Sequence, residues 1–190
     1  MEPKSDEKLM QEWLEGDLRA SDELAGRYLT RIQNYQYALV GDRSLAWDLT
    51  QETFLKLIRS KNSVDTSRPF SAYLFRIAQT TGISWFRIKA RRLFVPLADH
   101  DCQVGANDVD NMLAVEQAVS RLSLRLRRVH ELRMEGFTNS EIAYILRTSL
   151  RTVVSQNAKI ERSLYKTLTQ PAVEPSLQAP ASPPKKKIAD

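Results

Sequence analysis

Apolar residues return every three or four positions along most of the chain, and no stretch alternates strictly between apolar and polar. That spacing predicts amphipathic helices rather than strands. Helices are expected near 6–15, 20–40, 44–60 and 70–92, and then near 109–121, 125–135, 139–147 and 150–168. Local signals mark several ends. Asp42 or Ser44 can cap the helix near 44–60, and Pro69 can stand in the first turn of the next. Gly136 closes the helix before it. Thr138 and Glu141 have the spacing of a capping box, and Ser149 can cap the last helix. The fold is expected to be all-α.

The pattern breaks in two places. Residues 96–110 open with Pro96, carry Asp99, Asp101, Asp108 and Asp110, and hold no Lys or Arg. Beyond 170 come Pro171, Pro175, Pro180, Pro183 and Pro184, followed by Lys185, Lys186 and Lys187. The chain therefore divides into a helical unit over 1–95, a flexible acidic linker over 96–108, a second helical unit over 109–168, and a disordered Pro/Lys tail over 169–190. Asn62 to Pro69 is a polar, turn-rich loop inside the first unit.

Charge and composition narrow the chemistry. The net charge is +5 and the pI about 9.4, which favours a polyanionic partner. Cys102 is the only cysteine, so no internal disulfide forms and a reducing, cytoplasmic setting is expected. With two histidines, a metal site is not expected, and no cofactor is implied. No run is long and apolar enough for a membrane span. No nucleophile–base set or phosphate-cradling glycine loop stands out, so an enzyme is not expected.

Three helix faces carry candidate chemistry. Between Phe137 and Arg162 a short capped helix, a tight break at Arg147–Ser149 and a longer helix read as a helix-turn-helix. Thr152, Ser155, Gln156 and Lys159 share one face of the second helix, with Arg151 near its start. Gln suits adenine there, and Arg suits guanine or phosphate. In the helix near 44–60, Asp48, Gln51, Glu52 and Leu55 share a face that suits a basic partner helix, while Trp47, Phe54 and Ile58 are expected in the core. In the helix near 70–92, Phe70, Leu74, Ile77, Thr81, Trp85 and Ile88 should face inward. Tyr73, Arg76, Thr80, Ser84, Arg87 and Arg91 form a basic outer face able to follow phosphates.

All three of these stretches resemble a known family. Asp48-Leu49-Thr50-Gln51-Glu52-Thr53-Phe54-Leu55 and Phe70 to Ala78, running into Arg87–Arg92, resemble the sigma-two domain of extracytoplasmic-function sigma factors. Arg121-Leu122, Arg125 to Arg133 and Glu135 to Ala143, on through Thr152-Val153, resemble their sigma-four domain. The resemblance covers about residues 6–168. It implies an alternative sigma factor that binds core RNA polymerase through Asp48, Gln51, Glu52 and Leu55. Minus-ten DNA would meet Lys61, Asn62, Ser63, Arg76, Thr80, Ser84, Arg87 and Arg91, with a flipped base captured at the 61–68 loop. Minus-thirty-five DNA would meet Arg151, Thr152, Ser155, Gln156 and Lys159.

Departures from the family pattern qualify the picture. Leu45 and Trp47 stand where acids are usual, and Arg147 where glycine is frequent in the recognition turn. Docking short of charge suggests Ser44, Thr50 and Thr53 as candidate phosphorylation sites for a Ser/Thr kinase. The family's commoner control is an anti-sigma partner. The competing readings are a sigma-like decoy for an anti-sigma factor and a non-sigma helix-turn-helix regulator.

Overall fold

The computed structural model describes residues 4–64, 67–92 and 118–169. Helix α1 is Asp6–Leu14, α2 is Leu18–Val40, α3 is Arg43–Ser60 and α4 is Phe70–Arg92. A 3-10 turn, Lys61–Ser63, follows α3. Residues 118–120 are helical, and then come α5 (Leu124–Met134), α6 (Asn139–Leu146) and α7 (Leu150–Thr169). No strand occurs among the described residues. The linker expected over 96–108, Cys102, and the tail beyond Thr169 lie outside them.

The helix ends follow from side chains that satisfy free backbone amides. Ser5 accepts from the Lys8 amide, Asp17 from Arg19 and Asp42 from Leu45. Gly41 ends α2 at φ +69°, in the left-handed region where a side chain costs energy. The capping box at α6 is complete: Thr138 accepts from the Glu141 amide, and Glu141 accepts from the Thr138 amide at 2.7 Å. Arg147 closes α6 at φ +52°, ψ +50°, so the recognition turn does require a left-handed residue and fills it with arginine.

The first unit packs α1–α4 around Leu9, Trp13, Leu24, Tyr28, Ile32, Leu39, Leu57, Phe70, Leu74 and Phe75. Full burial of each large apolar side chain contributes about 1.5–3 kcal/mol. Helices α2 and α4 approach closely at Gly82, where an added Cβ would sit 3.1 Å from Gln36 Oε1. Gln36 is itself buried and donates to Ala78 O at 2.9 Å. The second unit closes over Leu122, Val129, Leu132, Ile142, Ile145, Val153 and Ile160.

Two expected core stripes are corrected. Trp47 and Ile58 are exposed (40% and 55%), and Phe54 is only partly buried. The inward face of α3 is Ala46, Leu49, Thr50, Thr53 and Leu57. The threonines can lie inside because each hydroxyl donates back along the helix, to Ala46 O and Leu49 O at 2.7 Å. With those donors satisfied, the residues behave as small apolar groups, and the buried face turns away from Trp47. In α4, Ile88 is exposed, while Ile77 and Trp85 are half-buried. Ala72, Phe75, Ala78 and Phe86 take up core positions beside Phe70, Leu74 and Thr81.

The two units do not stand apart. Phe75 of α4 meets Phe137, just before α6, edge to face with centroids 5.0 Å apart. Their apolar residues form one continuous core, with α4 against α6 and α2 against α5.

Candidate nucleic-acid interface and docking face

Three surfaces follow from this frame. On α3 the outward residues are Trp47, Asp48, Gln51, Leu55 and Ile58, with Glu52 half-buried beside them. Leu55 is 46% exposed. The structure thus brings Asp48, Gln51, Glu52 and Leu55 onto one face, as the spacing predicts, and adds Trp47 and Ile58 to it. The face is an apolar ridge edged by two carboxylates. Glu52 also lies 3.4 Å from Lys56 Nζ.

On α4, Thr80, Arg87, Lys89 and Arg91 are exposed and Ser84 is half-buried. The Thr80 hydroxyl donates to Arg76 O at 2.7 Å, which leaves its lone pairs outward. Lys89 lies over the Trp85 ring at 4.9 Å, so a half-buried aromatic face borders the basic row. Asn62 and Ser63 are exposed in the 3-10 turn, and Lys61 Nζ sits 5.6 Å from the Trp13 ring. Tyr73 is pinned at the base of that turn, its hydroxyl 2.9 Å from Ser60 Oγ. Arg76 differs from the others. It is half-buried, with its guanidinium 4.4 Å from the Tyr144 ring of α6.

On α7, Arg151, Ser155 and Lys159 are exposed and line a groove of about 580 Å³ with Ser123, Arg125 and Ser149. The Ser149 hydroxyl accepts from the Thr152 amide at 3.1 Å and lies 2.8 Å from the Thr152 hydroxyl. Thr152 is therefore half-buried and tied into the cap. Gln156 is a correction. It is 6% exposed, at the floor of the groove, rather than projecting outward. Its place in the helical repeat lies between the Val153–Ile160 core stripe and the outer face, and α5 closes over it. Its Oε1 has no hydrogen-bond partner among the described residues.

Arg125 and Arg68 were not picked out as site residues. Arg125 lines the groove from α5, and Arg68 lies beside Arg76 on the Tyr144 ring. Only the packing of separate helices brings them to these places. The phosphorylation candidates divide sharply. Ser44 is exposed in the first turn of α3, whereas Thr50 and Thr53 are fully buried with committed hydroxyls. No kinase can reach those two in the folded chain.

The sigma-70 region 2 family model matches residues 24–92, the span that carries both the α3 face and the basic α4 row. The chain is 26% identical over 188 residues to the RNA polymerase sigma-H factor of Pseudomonas aeruginosa, covering 87% of this chain and 94% of that one. The chain carries a sigma-70 region 2 and is similar along most of its length to sigma factors of the extracytoplasmic-function type. Its other relatives include the sigma factor BldN of Streptomyces coelicolor, 28% identical over 185 residues, covering 88% of this chain and 69% of the relative. The sigma-E factor of Haemophilus influenzae is 27% identical over 172 residues, covering 82% and 90%.

Solved structures share the fold of this chain. CnrH in complex with the cytosolic domain of CnrY aligns with a TM-score of 0.65 at 20% identity, over 87% of this chain and 97% of that one. The sigma factor RpoE bound to the anti-sigma factor NepR, from Bartonella quintana, gives 0.65 at 21% identity, over 80% and 98%. No helix among the described residues is long and apolar enough to cross a membrane.

Proposed function

We propose that this chain is a sigma factor that binds core RNA polymerase through the α3 face and directs it to promoters, with α4 serving the minus-ten element and α7 the minus-thirty-five element. The observation that carries the reading is the exposed ridge Trp47, Leu55 and Ile58 edged by Asp48 and Glu52. An isolated helix surface has no reason to leave three large apolar groups in water; a partner helix with basic flanks would cover them. The assignment covers Lys61, Asn62, Ser63, Thr80, Ser84, Arg87 and Arg91 for minus-ten DNA, and Arg151, Ser155 and Lys159 for minus-thirty-five DNA. Gln156 supports the floor of that groove.

The role is that of a non-catalytic factor acting where the polymerase acts, in the cytoplasm. Ser44 remains the accessible site for added phosphate, at a helix start where negative charge is favoured. An anti-sigma partner is an equally direct means of control, as the NepR-bound relative illustrates. Run-off transcription with purified core polymerase over genomic fragments tests the reading. Discrete new start sites with this chain, lost with Leu55→Asp, are the expected result. Unchanged start-site choice with a folded chain that also fails to bind core polymerase overturns it.

A further inference from the structure

Two cavities of the second unit share Gln156 and Arg125 as lining residues. The larger, about 580 Å³, is the groove that holds Arg151 and Lys159. The smaller, about 270 Å³, is bordered by Arg125 and Arg128 of α5 and by Arg147 and Thr148 of the turn after α6. Five cationic side chains therefore line the pair, and no carboxylate among the described residues does.

Two features here work against stability. Gln156 is only 6% exposed, yet its Oε1 has no hydrogen-bond partner among the described residues. A buried acceptor in that condition is destabilising unless something brings it a donor. Arg147 holds φ +52°, a region where glycine is relaxed and arginine is strained. The turn itself requires only a left-handed residue. What arginine adds is a guanidinium on the wall of the smaller cavity.

Both features describe the same kind of ligand. Guanidinium groups bind phosphate oxygens bidentately, and three of them converge on the smaller cavity. Adenine offers its N6 amine to a glutamine Oε1 and its N7 to the amide nitrogen. The last torsion of a glutamine is soft, so the Gln156 amide can turn towards a base in the groove. Leu126 supplies an apolar patch on the groove wall for the ring. The larger cavity also falls within the range of about 300–1,000 Å³ typical of small-molecule sites.

We propose that these joined cavities bind a free adenine nucleotide, with its phosphates on Arg125, Arg128 and Arg147 and its base on Gln156. The site gives the second unit a small-molecule ligand in addition to promoter DNA. A nucleotide held there lies against Arg151 and Lys159, so it and a minus-thirty-five duplex exclude each other. That competition rests on the assignment of α7 to DNA; the binding itself does not.

The test is calorimetric titration of the full chain with ADP, GDP and inorganic pyrophosphate. ADP should bind more tightly than the other two. Gln156→Leu removes the unpaired acceptor at similar volume. It should weaken ADP binding about tenfold, the loss of roughly one good hydrogen bond, and leave pyrophosphate binding unchanged. Arg147→Gly should weaken both ADP and pyrophosphate while raising Tm, so that unfolding cannot account for the loss. ADP should also displace a labelled minus-thirty-five duplex from the parent chain.

Three results overturn the site: no binding of ADP, equal binding of ADP and GDP, or ADP binding that neither substitution weakens. Binding of the duplex alone would give the groove to DNA and remove the nucleotide. ADP that binds as expected without displacing the duplex would uphold the site and count against the assignment of α7.

Discussion

Asn157, midway along α7, donates through Nδ2 to Asn139 Oδ1 at the first residue of α6, 2.9 Å away. The bond joins the two helices of the helix-turn-helix at a point where Asn157 is only 7% exposed. It fixes the rotation of α7 and therefore the direction of Arg151, Ser155 and Lys159. Asn157→Ala should cost about 1 kcal/mol of unfolding free energy, read from denaturant midpoints. It should weaken binding to a minus-thirty-five duplex beyond what the stability loss explains. Unchanged stability would show that the bond does not hold the crossing.

Arg147 closes α6 in the left-handed region, where a residue with a Cβ is strained by about 1–2 kcal/mol. Arg147→Gly removes that strain but gives the unfolded chain more freedom, so a net gain of about 0.5–1 kcal/mol is expected. A rise of a few degrees in Tm checks it. A fall would mean that the arginine side chain contributes more through its surroundings than the backbone loses.

Trp47, Leu55 and Ile58 make a sharp prediction because they contribute little to the core. Trp47→Ala should leave the melting curve nearly unchanged while weakening core-polymerase binding by about 2 kcal/mol, roughly 30-fold. Titration of labelled chain with purified core enzyme measures it. A large loss of stability with no loss of binding would return Trp47 to the interior.

The candidate phosphorylation sites separate by substitution. Ser44→Asp places a charge near the start of α3 and should stabilise the chain by about 0.3–1 kcal/mol. Thr53→Asp places a carboxylate in a buried site whose hydroxyl donates to Leu49 O, and should destabilise on the order of 3–5 kcal/mol. Urea unfolding of the two variants decides. Tolerance of Thr53→Asp would contradict the packing of α3.

Two adjacent groups on α5 respond to pH in opposite directions. Burial, helped by the Arg133 charge, lowers the pKa of His130 below its ordinary 6.5. The native imidazole stays neutral while the unfolded chain takes up a proton. Stability contributed by neutral His130 is therefore present above pH 6.5 and lost as pH falls below it. Burial raises Glu131 above 4.5, against the pull of Arg127 and with the help of Glu135. That contribution is complete below pH 4.5 and is lost as pH rises through the raised value. His130→Gln should flatten the fall in Tm between pH 7 and pH 5.5. An unaltered slope would place the pH response elsewhere.

Among the described residues, periodicity and capping chemistry were enough to locate the helices, because both act within a few residues of chain; the helix expected near 109–121 lies outside them except for residues 118–120. Asp42, Gly136, Ser149 and the Thr138–Glu141 box all stand at the ends they signal. The faces carrying Asp48 to Leu55 and Arg87 to Arg91 were legible for the same reason, since helical spacing alone groups them. The inward side of α3 was not. A threonine that returns its hydroxyl to its own helix reads as polar in the sequence, yet packs like a small apolar residue.

Residues brought together from separate helices were beyond the reach of spacing. The burial of Gln156 depends on α5 closing over α7, and the placement of Arg68 and Arg76 on Tyr144 depends on the second unit folding back onto the first. The sequence by itself determined the helices, their caps and the charge on each face, because those are local properties. Only the tertiary structure decided which faces are open and which are covered, because that depends on contacts between residues some seventy to a hundred positions apart, such as Arg31 with Glu135 and Arg76 with Tyr144.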